Sequence, residues 1–279
     1  MNSRFMCCNT THQNSKFSKL GSPHRVWAVG SVHGDINKLT SLHDNILKNI
    51  KLGDRIVYLG NYTGHGDHSA ECIDELLTFR RMALAIPGMR PSDLVYLRGA
   101  QEEMLQKLLQ LQFAPNPADV LLWMLGNGLS NTLKSYGLCP HDGIESCRQG
   151  VMELIKWTHV VRQAIRERTG HEMLSTQLKQ AALTDKSSHY PMLFVNSGLE
   201  PDKDLSAQGD SFWWASDHFE AMSERYKPFE KIVRGYDPAH KGVHLNCITA
   251  TIDGGCGFGG TLAGAAFTAS GDVEHLLEV

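Results

Sequence analysis

Five short segments gather most of the side chains in this chain that could do chemistry. They read Gly30-Ser31-Val32-His33-Gly34, Gly60-Asn61-Tyr62-Thr63-Gly64-His65-Gly66, Arg98-Gly99-Ala100-Gln101-Glu102, Phe194-Val195-Asn196-Ser197-Gly198 and Gly235-Tyr236-Asp237. Imidazoles and carboxylates suit divalent metals, whereas amides, hydroxyls and a phenol offer hydrogen bonds alone. Asn61, Arg98, Gln101, Asn196 and Tyr236 therefore line a candidate ligand pocket, with Ser31, His33 and Ala100 on the same segments, able to hold a nucleotide or another phosphorylated molecule through hydrogen bonds. The opposing expectation is a collapsed crevice in which these groups satisfy one another. His33, Asp35, His65, Asp67 and His68 form a second set, because two or three His with a carboxylate can hold one Zn²⁺ or Mn²⁺ ion. The plainer reading of 64–68 is a solvated polar loop that leads into a helix.

Such distant segments need a frame to bring them together. Residues 25–30, 55–60 and 93–98 are apolar runs of strand length, and each leads into one of the segments. Helical spacing of apolar residues follows over 37–50, 69–84 and 101–113, with Ser69 placed as an N-cap and Glu71 in the first turn. Strand–helix alternation of this kind predicts an α/β sheet with right-handed crossovers. Loops at the carboxyl ends of such strands converge on one crevice. Residues 115–188 show no clear strand and predict a helical insertion, with helices over 151–168 and 173–183. Strands return at 192–195, 231–234, 247–252 and 264–268. A dense cluster of Gly between 254 and 260 predicts a wide turn with close backbone packing. Phe212, Trp213 and Trp214 are either an exposed recognition surface or core residues that pack the insertion on the sheet.

The chain has 279 residues, and the first 24 are polar, which predicts a disordered tail followed by one domain over 25–279. A net charge of −3 gives no electrostatic case for nucleic acid or an anionic membrane. No run approaches ~20 apolar residues, so no membrane span is expected. Seven scattered cysteines, an odd number without metal-type spacing, point to a reducing cytoplasm.

The order and spacing of the five segments resemble the calcineurin-like metallophosphoesterases, whose loops read GDxHG, GDxxDRG, GNHE, HxG and GH. The resemblance covers about residues 25–279. It is closest to the bacterial serine/threonine protein phosphatases and the symmetrical diadenosine tetraphosphatases. Three further stretches carry it: WMLGNGLSNTLKSYG at 123–137, FVNSGLEPDKDLSAQGDSFW at 194–213 and IDGGCGFGGTL at 252–262. It implies a two-sheet α/β sandwich with a helical insertion. It also implies a centre where two divalent ions clamp a phosphate and generate a hydroxide nucleophile.

Residue by residue, the resemblance breaks at that centre. Ser31 stands where the family has its first Asp, and Asn61 where it has the bridging Asp. Ala100 stands in place of an Asn ligand, and Asn196 and Tyr236 in place of His ligands; His33 alone is retained. Gln101 replaces the general-acid His, and Gly64 and His65 replace its Asp partner and the following Arg. Two ions bring +4, and both carboxylates that would offset them are neutral here. The resulting expectation is a pseudophosphatase with no cofactor, which binds or regulates through a phosphorylated small molecule or a protein partner. One alternative is a working phosphoesterase with a rearranged single-metal site. Another is a structural or interaction protein without a pocket ligand.

Overall fold

A computed structural model describes residues 16–279. The chain runs through the strands and helices in the order β1 (Phe17–Gly21), β2 (Arg25–Val29), α1 (Ile36–Asn49), β3 (Arg55–Tyr58), α2 (Ser69–Leu84), β4 (Leu94–Tyr96) and α3 (Ala100–Leu108). A helical stretch follows, made of α4 (Pro117–Met124), α5 (Ser130–Ser135), α6 (Pro140–Gln149), α7 (Val151–Glu167) and α8 (His171–Gln177). The last part holds β5 (Ala181–Thr184), β6 (Met192–Val195), α9 (Ser211–Trp214), α10 (Ser216–Glu220), β7 (Lys231–Arg234), β8 (His244–Leu245), β9 (Thr249–Thr251), β10 (Ala263–Thr268) and β11 (Val273–Glu278).

Two mixed sheets form, one ordered β1-β5-β6-β7-β9-β8 and the other β11-β10-β2-β3-β4. They pack through alternate strand residues, because successive side chains of a strand point to opposite faces. Val26, Ala28, Val57 and Leu59 of one sheet share a core with Met192, Phe194, Val233 and Ala250 of the other. The intervening Trp27, Val29, Ile56 and Tyr58 face outward onto Leu39, Leu42, Ile46, Leu76 and Phe79 of α1 and α2. Leu193, Val195 and Ile232 carry the opposite outer layer, with Phe212, Trp213 and Phe229. Each large apolar side chain buried in these layers contributes about 1.5–3 kcal/mol. The α/β sandwich with a helical insertion is the architecture expected from the sequence.

Several boundaries differ from the sequence expectation. Residues 17–21 fall inside the segment read as a disordered tail, yet they form β1, parallel to β5. This edge strand has a mostly polar sequence because only Leu20 is buried in it. The rest of the expected tail, 1–15, lies outside the described residues. The helix expected over 173–183 ends at Gln177, and Ala181–Thr184 is a buried strand rather than part of an all-helical insertion. Four buried residues in a row, three of them apolar, carry no periodicity that separates a buried strand from a helix. Helix α3 stops at Leu108, and a 3-10 turn spans Leu111–Phe113. The strand β11, which no apolar run announced, alternates half-buried and exposed residues. Phe212 and Trp213 are core, while Trp214 is half exposed.

Candidate functional site

The carboxyl ends of β2, β3 and β6 and the start of α3 meet at one place. Their loops touch backbone to backbone, and glycine is what permits the approach. A Cβ on Gly60 would lie 2.6 Å from the Gly99 nitrogen, and one on Gly99 would lie 2.3 Å from Asn61 Oδ1. Asn61 itself has φ +57, a left-handed conformation that Asn tolerates better than most side chains.

Glu102 holds this conformation from below. Its carboxylate accepts from the backbone nitrogens of Asn61 and Tyr62, both at 2.8 Å, and of Gly99 at 2.9 Å. Burial raises its pKa, while the backbone amides oppose that shift.

Above this cradle lies a closed polar cluster. Asn61 Nδ2 donates to Ser31 Oγ at 3.2 Å, and Asn61 Oδ1 accepts from the Gln101 nitrogen at 3.1 Å. Asn196 Nδ2 donates to the Leu59 carbonyl at 2.7 Å, and its Oδ1 accepts from the Ala100 nitrogen at 3.3 Å. Gln101 Nε2 donates to the Asn127 carbonyl at 2.8 Å, where a kink at Asn127 and Gly128 separates α4 from α5. Ser31, Asn61, Ala100, Gln101 and Asn196 are between 0% and 6% exposed. Asn61 is thus bonded to Ser31 and to the Gln101 backbone, Asn196 to the backbone of Leu59 and Ala100, and the insertion closes over Gln101.

His33 sits beside this cluster with φ +50, and neither ring nitrogen has a hydrogen-bond partner among the described residues. Aromatic rings surround it: Phe258 at 5.2 Å, and His65 and Tyr236 each at 5.4 Å. Phe258 also packs, tilted by 33°, at 4.0 Å from His240 and lies 4.3 Å from His65. The Gly-rich turn delivers it, since a Cβ on Gly257 would lie 2.4 Å from that of His33. Phe258, His240 and Asn127 were not among the residues singled out from sequence. The Gly cluster was the available signal, as dense Gly marks close backbone approach. Burial pushes the Tyr236 phenol up to about 12, so it stays protonated near neutral pH.

The remaining candidates are engaged elsewhere. Arg98, expected to line the crevice, pairs its guanidinium with Glu103 at 2.9 Å and gives its carbonyl to Trp213 Nε1. Asp35 caps α1 by accepting from the Lys38 nitrogen. Asp67 is exposed and accepts from Asn131. His68 is exposed at the N-cap position of α2 without a side-chain capping bond. Ser69, expected as that cap, is instead the first helical residue, and its hydroxyl accepts from the Gly64 nitrogen. His33 and His65 come together, but the carboxylates of the single-ion set do not join them. Among the described residues no three His, Cys, Asp or Glu side chains form a group that could hold a metal ion.

Burial, followed by the neighbouring His65 and His240, lowers the His33 pKa to about 3. The unfolded chain would bind that proton near pH 6.5, so the folded state loses stability as pH falls from 6.5 toward 3, by about 1.4 kcal/mol per unit. His43, His65 and His171 are lowered by burial and act in the same direction. Urea unfolding at pH 6.5 and 4.5 should therefore show a loss of at least ~2 kcal/mol. His33→Asn, which tolerates the positive φ, should flatten that slope; an unchanged slope would remove His33 as its cause.

No protein-family model matches the chain, and no curated protein matches it at a significant level. Solved structures do. One is described as a "putative diadenosine tetraphosphatase"; it is 17% identical, with 94% of this chain and 97% of that one covered at a TM-score of 0.53. Another is a protein serine/threonine phosphatase from Saccharomyces cerevisiae; it is 12% identical, with 95% of this chain and 82% of that one covered at a TM-score of 0.53. No helix among the described residues is long and apolar enough to cross a membrane. At this identity the likeness establishes architecture, and in that respect the chain has the calcineurin-like metallophosphoesterase fold.

Proposed function

We propose that this chain is a degenerate metallophosphoesterase that works by binding or regulation rather than by phosphoester hydrolysis. The observation that carries the reading is the Asn61 carboxamide. At the position where the resemblance implies a bridging carboxylate, it donates to Ser31 Oγ and accepts from the Gln101 backbone. An amide N–H at that place repels a cation rather than neutralising it. The neighbours support the same reading. Both polar atoms of the Asn196 amide are taken by backbone, Ala100 has no donor atom, and Tyr236 remains a neutral phenol. These residues do not fit two divalent ions.

A protein partner suits the closed centre better than a small phosphorylated ligand within it. A ligand there would have to break the buried bonds that Ser31, Asn61 and Asn196 already make. The test is hydrolysis of p-nitrophenyl phosphate by pure protein in Mn²⁺, with Mn²⁺ binding followed by calorimetry. Turnover should stay at background, without a two-ion binding isotherm. Metal-dependent turnover of ~1 s⁻¹ or more, the low end of ordinary enzymes, would overturn the proposal.

A further inference from the structure

A second cavity lies behind the wall of the polar cluster. It occupies about 280 Å³ between the β3 loop and the helices α3, α7 and α8. That is close to the lower bound of small-molecule sites, ~300 Å³. Its wall is mainly apolar, with Tyr62, Leu105, Ile165 and Leu174 among the lining residues. Most of its charged groups are matched within the protein. Arg98 pairs with Glu103, Glu172 with Arg166, His171 lies between Tyr136 and Asp74, and the Glu102 carboxylate is taken up by the backbone nitrogens of Asn61, Tyr62 and Gly99. Arg162 differs. The one bond its guanidinium makes among the described residues goes to the Leu109 carbonyl at 3.4 Å, and no carboxylate lies within 4.0 Å of it. A half-buried cation without a counter-charge beside an apolar cavity selects for a small amphipathic anion. Its tail would replace water against the apolar wall, and its carboxylate would pair bidentately with the guanidinium.

We infer that this cavity is a binding site for a small apolar monocarboxylate, with Arg162 as the carboxylate anchor. The site borders the polar centre through Glu102 but rests on none of the altered ligand positions, so it stands whether or not that centre is inert. Glu102 and Thr63 line the cavity too, and Glu102 also holds the backbone of Asn61 and Tyr62.

Octanoate, octanol and octylammonium share one tail and differ in head group, which makes them suitable probes for calorimetry and thermal shift on the full chain. Octanoate should bind saturably with a dissociation constant of roughly 0.1–1 mM, as expected for about ten non-hydrogen atoms. Octanol should bind about tenfold more weakly, in line with the loss of a charge-assisted pair. Octylammonium should not bind. Arg162→Gln should reduce octanoate to the level of octanol and leave octanol unchanged. Ser175→Trp, at an exposed position on the cavity rim, should weaken both without affecting folding. The proposal falls if wild-type protein shows no saturable octanoate binding up to ~10 mM. It also falls if octanol binds equally well, or if Arg162→Gln binds octanoate as tightly as wild type. Circular dichroism of each variant separates lost binding from lost fold.

Discussion

Replacing Glu102 with Ala is expected to lower unfolding free energy by about 3–6 kcal/mol, the largest single-residue effect anticipated in this protein. The carboxylate accepts three backbone N–H bonds of 2.8–2.9 Å from two different loops. Removing it leaves three buried donors without a partner, and each such donor costs about 1–3 kcal/mol. It also releases Asn61 from its left-handed backbone, so the loops of β3 and α3 lose register together. Against a typical total of about 5–15 kcal/mol, this brings the protein close to unfolding at ambient temperature. Glu102→Gln should fall between the two, because a carboxamide offers one acceptor oxygen and turns its NH₂ toward donors. Urea denaturation gives the answer as a shift in midpoint at constant slope. A loss below ~1 kcal/mol for Glu102→Ala would show that these amides find other partners.

The second large effect concerns regained metal binding. If the altered ligand positions leave the centre unable to hold metal, restoring them should create affinity where none is expected in the wild type. The set is Ser31→Asp, Asn61→Asp, Ala100→Asn, Asn196→His and Tyr236→His, with Gln101→His for the acid. The two carboxylates supply the charge, and the imidazoles complete the ligand shell. Phe258→Ala belongs with them, because the Phe258 ring packs on His33 and His65. Gly64→Asp, which the family pattern alone would add, does not fit. Gly64 has φ +135, and a Cβ there would lie 2.8 Å from His33 Nδ1 and 2.9 Å from Gln101 Cδ.

Single changes should only destabilise, since one new carboxylate among closed amides is a buried charge without a counter-ion. The combined variant should bind close to two Mn²⁺, and at a free concentration a hundredfold above the dissociation constant it should gain ~2.7 kcal/mol of stability. Phosphatase activity should become measurable but trail behind binding, because surrounding supports have changed as well. A folded variant that shows no Mn²⁺ binding would mean that the residue-by-residue carry-over is wrong at its centre.

The sequence determined the frame. Apolar runs that end in Gly marked β2 and β3, shorter apolar stretches marked β6 and β7, and amphipathic periodicity marked α1, α2 and α7. Both signals are local, because the period of buried residues follows from backbone geometry. The order of the five loops was equally local information, and so was the absence of a carboxylate at Ser31 and Asn61. Elements whose burial depends on distant partners were hidden. β1 is mostly polar because it lies at a sheet edge, and β5 is too short to show a period.

At the centre, residue types restricted the chemistry but left open whether the crevice is an accessible pocket or a collapsed one. In the folded chain Asn61 Oδ1 accepts from the Gln101 nitrogen, and Asn196 Nδ2 donates to the Leu59 carbonyl across 137 residues of chain. It also turned Arg98 away to Glu103 and laid Phe258 against His33. Buried amides take the partners that long-range packing supplies, and a linear sequence holds no record of those partners. The unpaired charge of Arg162 is of the same kind, since its significance lies in a cavity that exists only once α3, α7 and α8 have packed together.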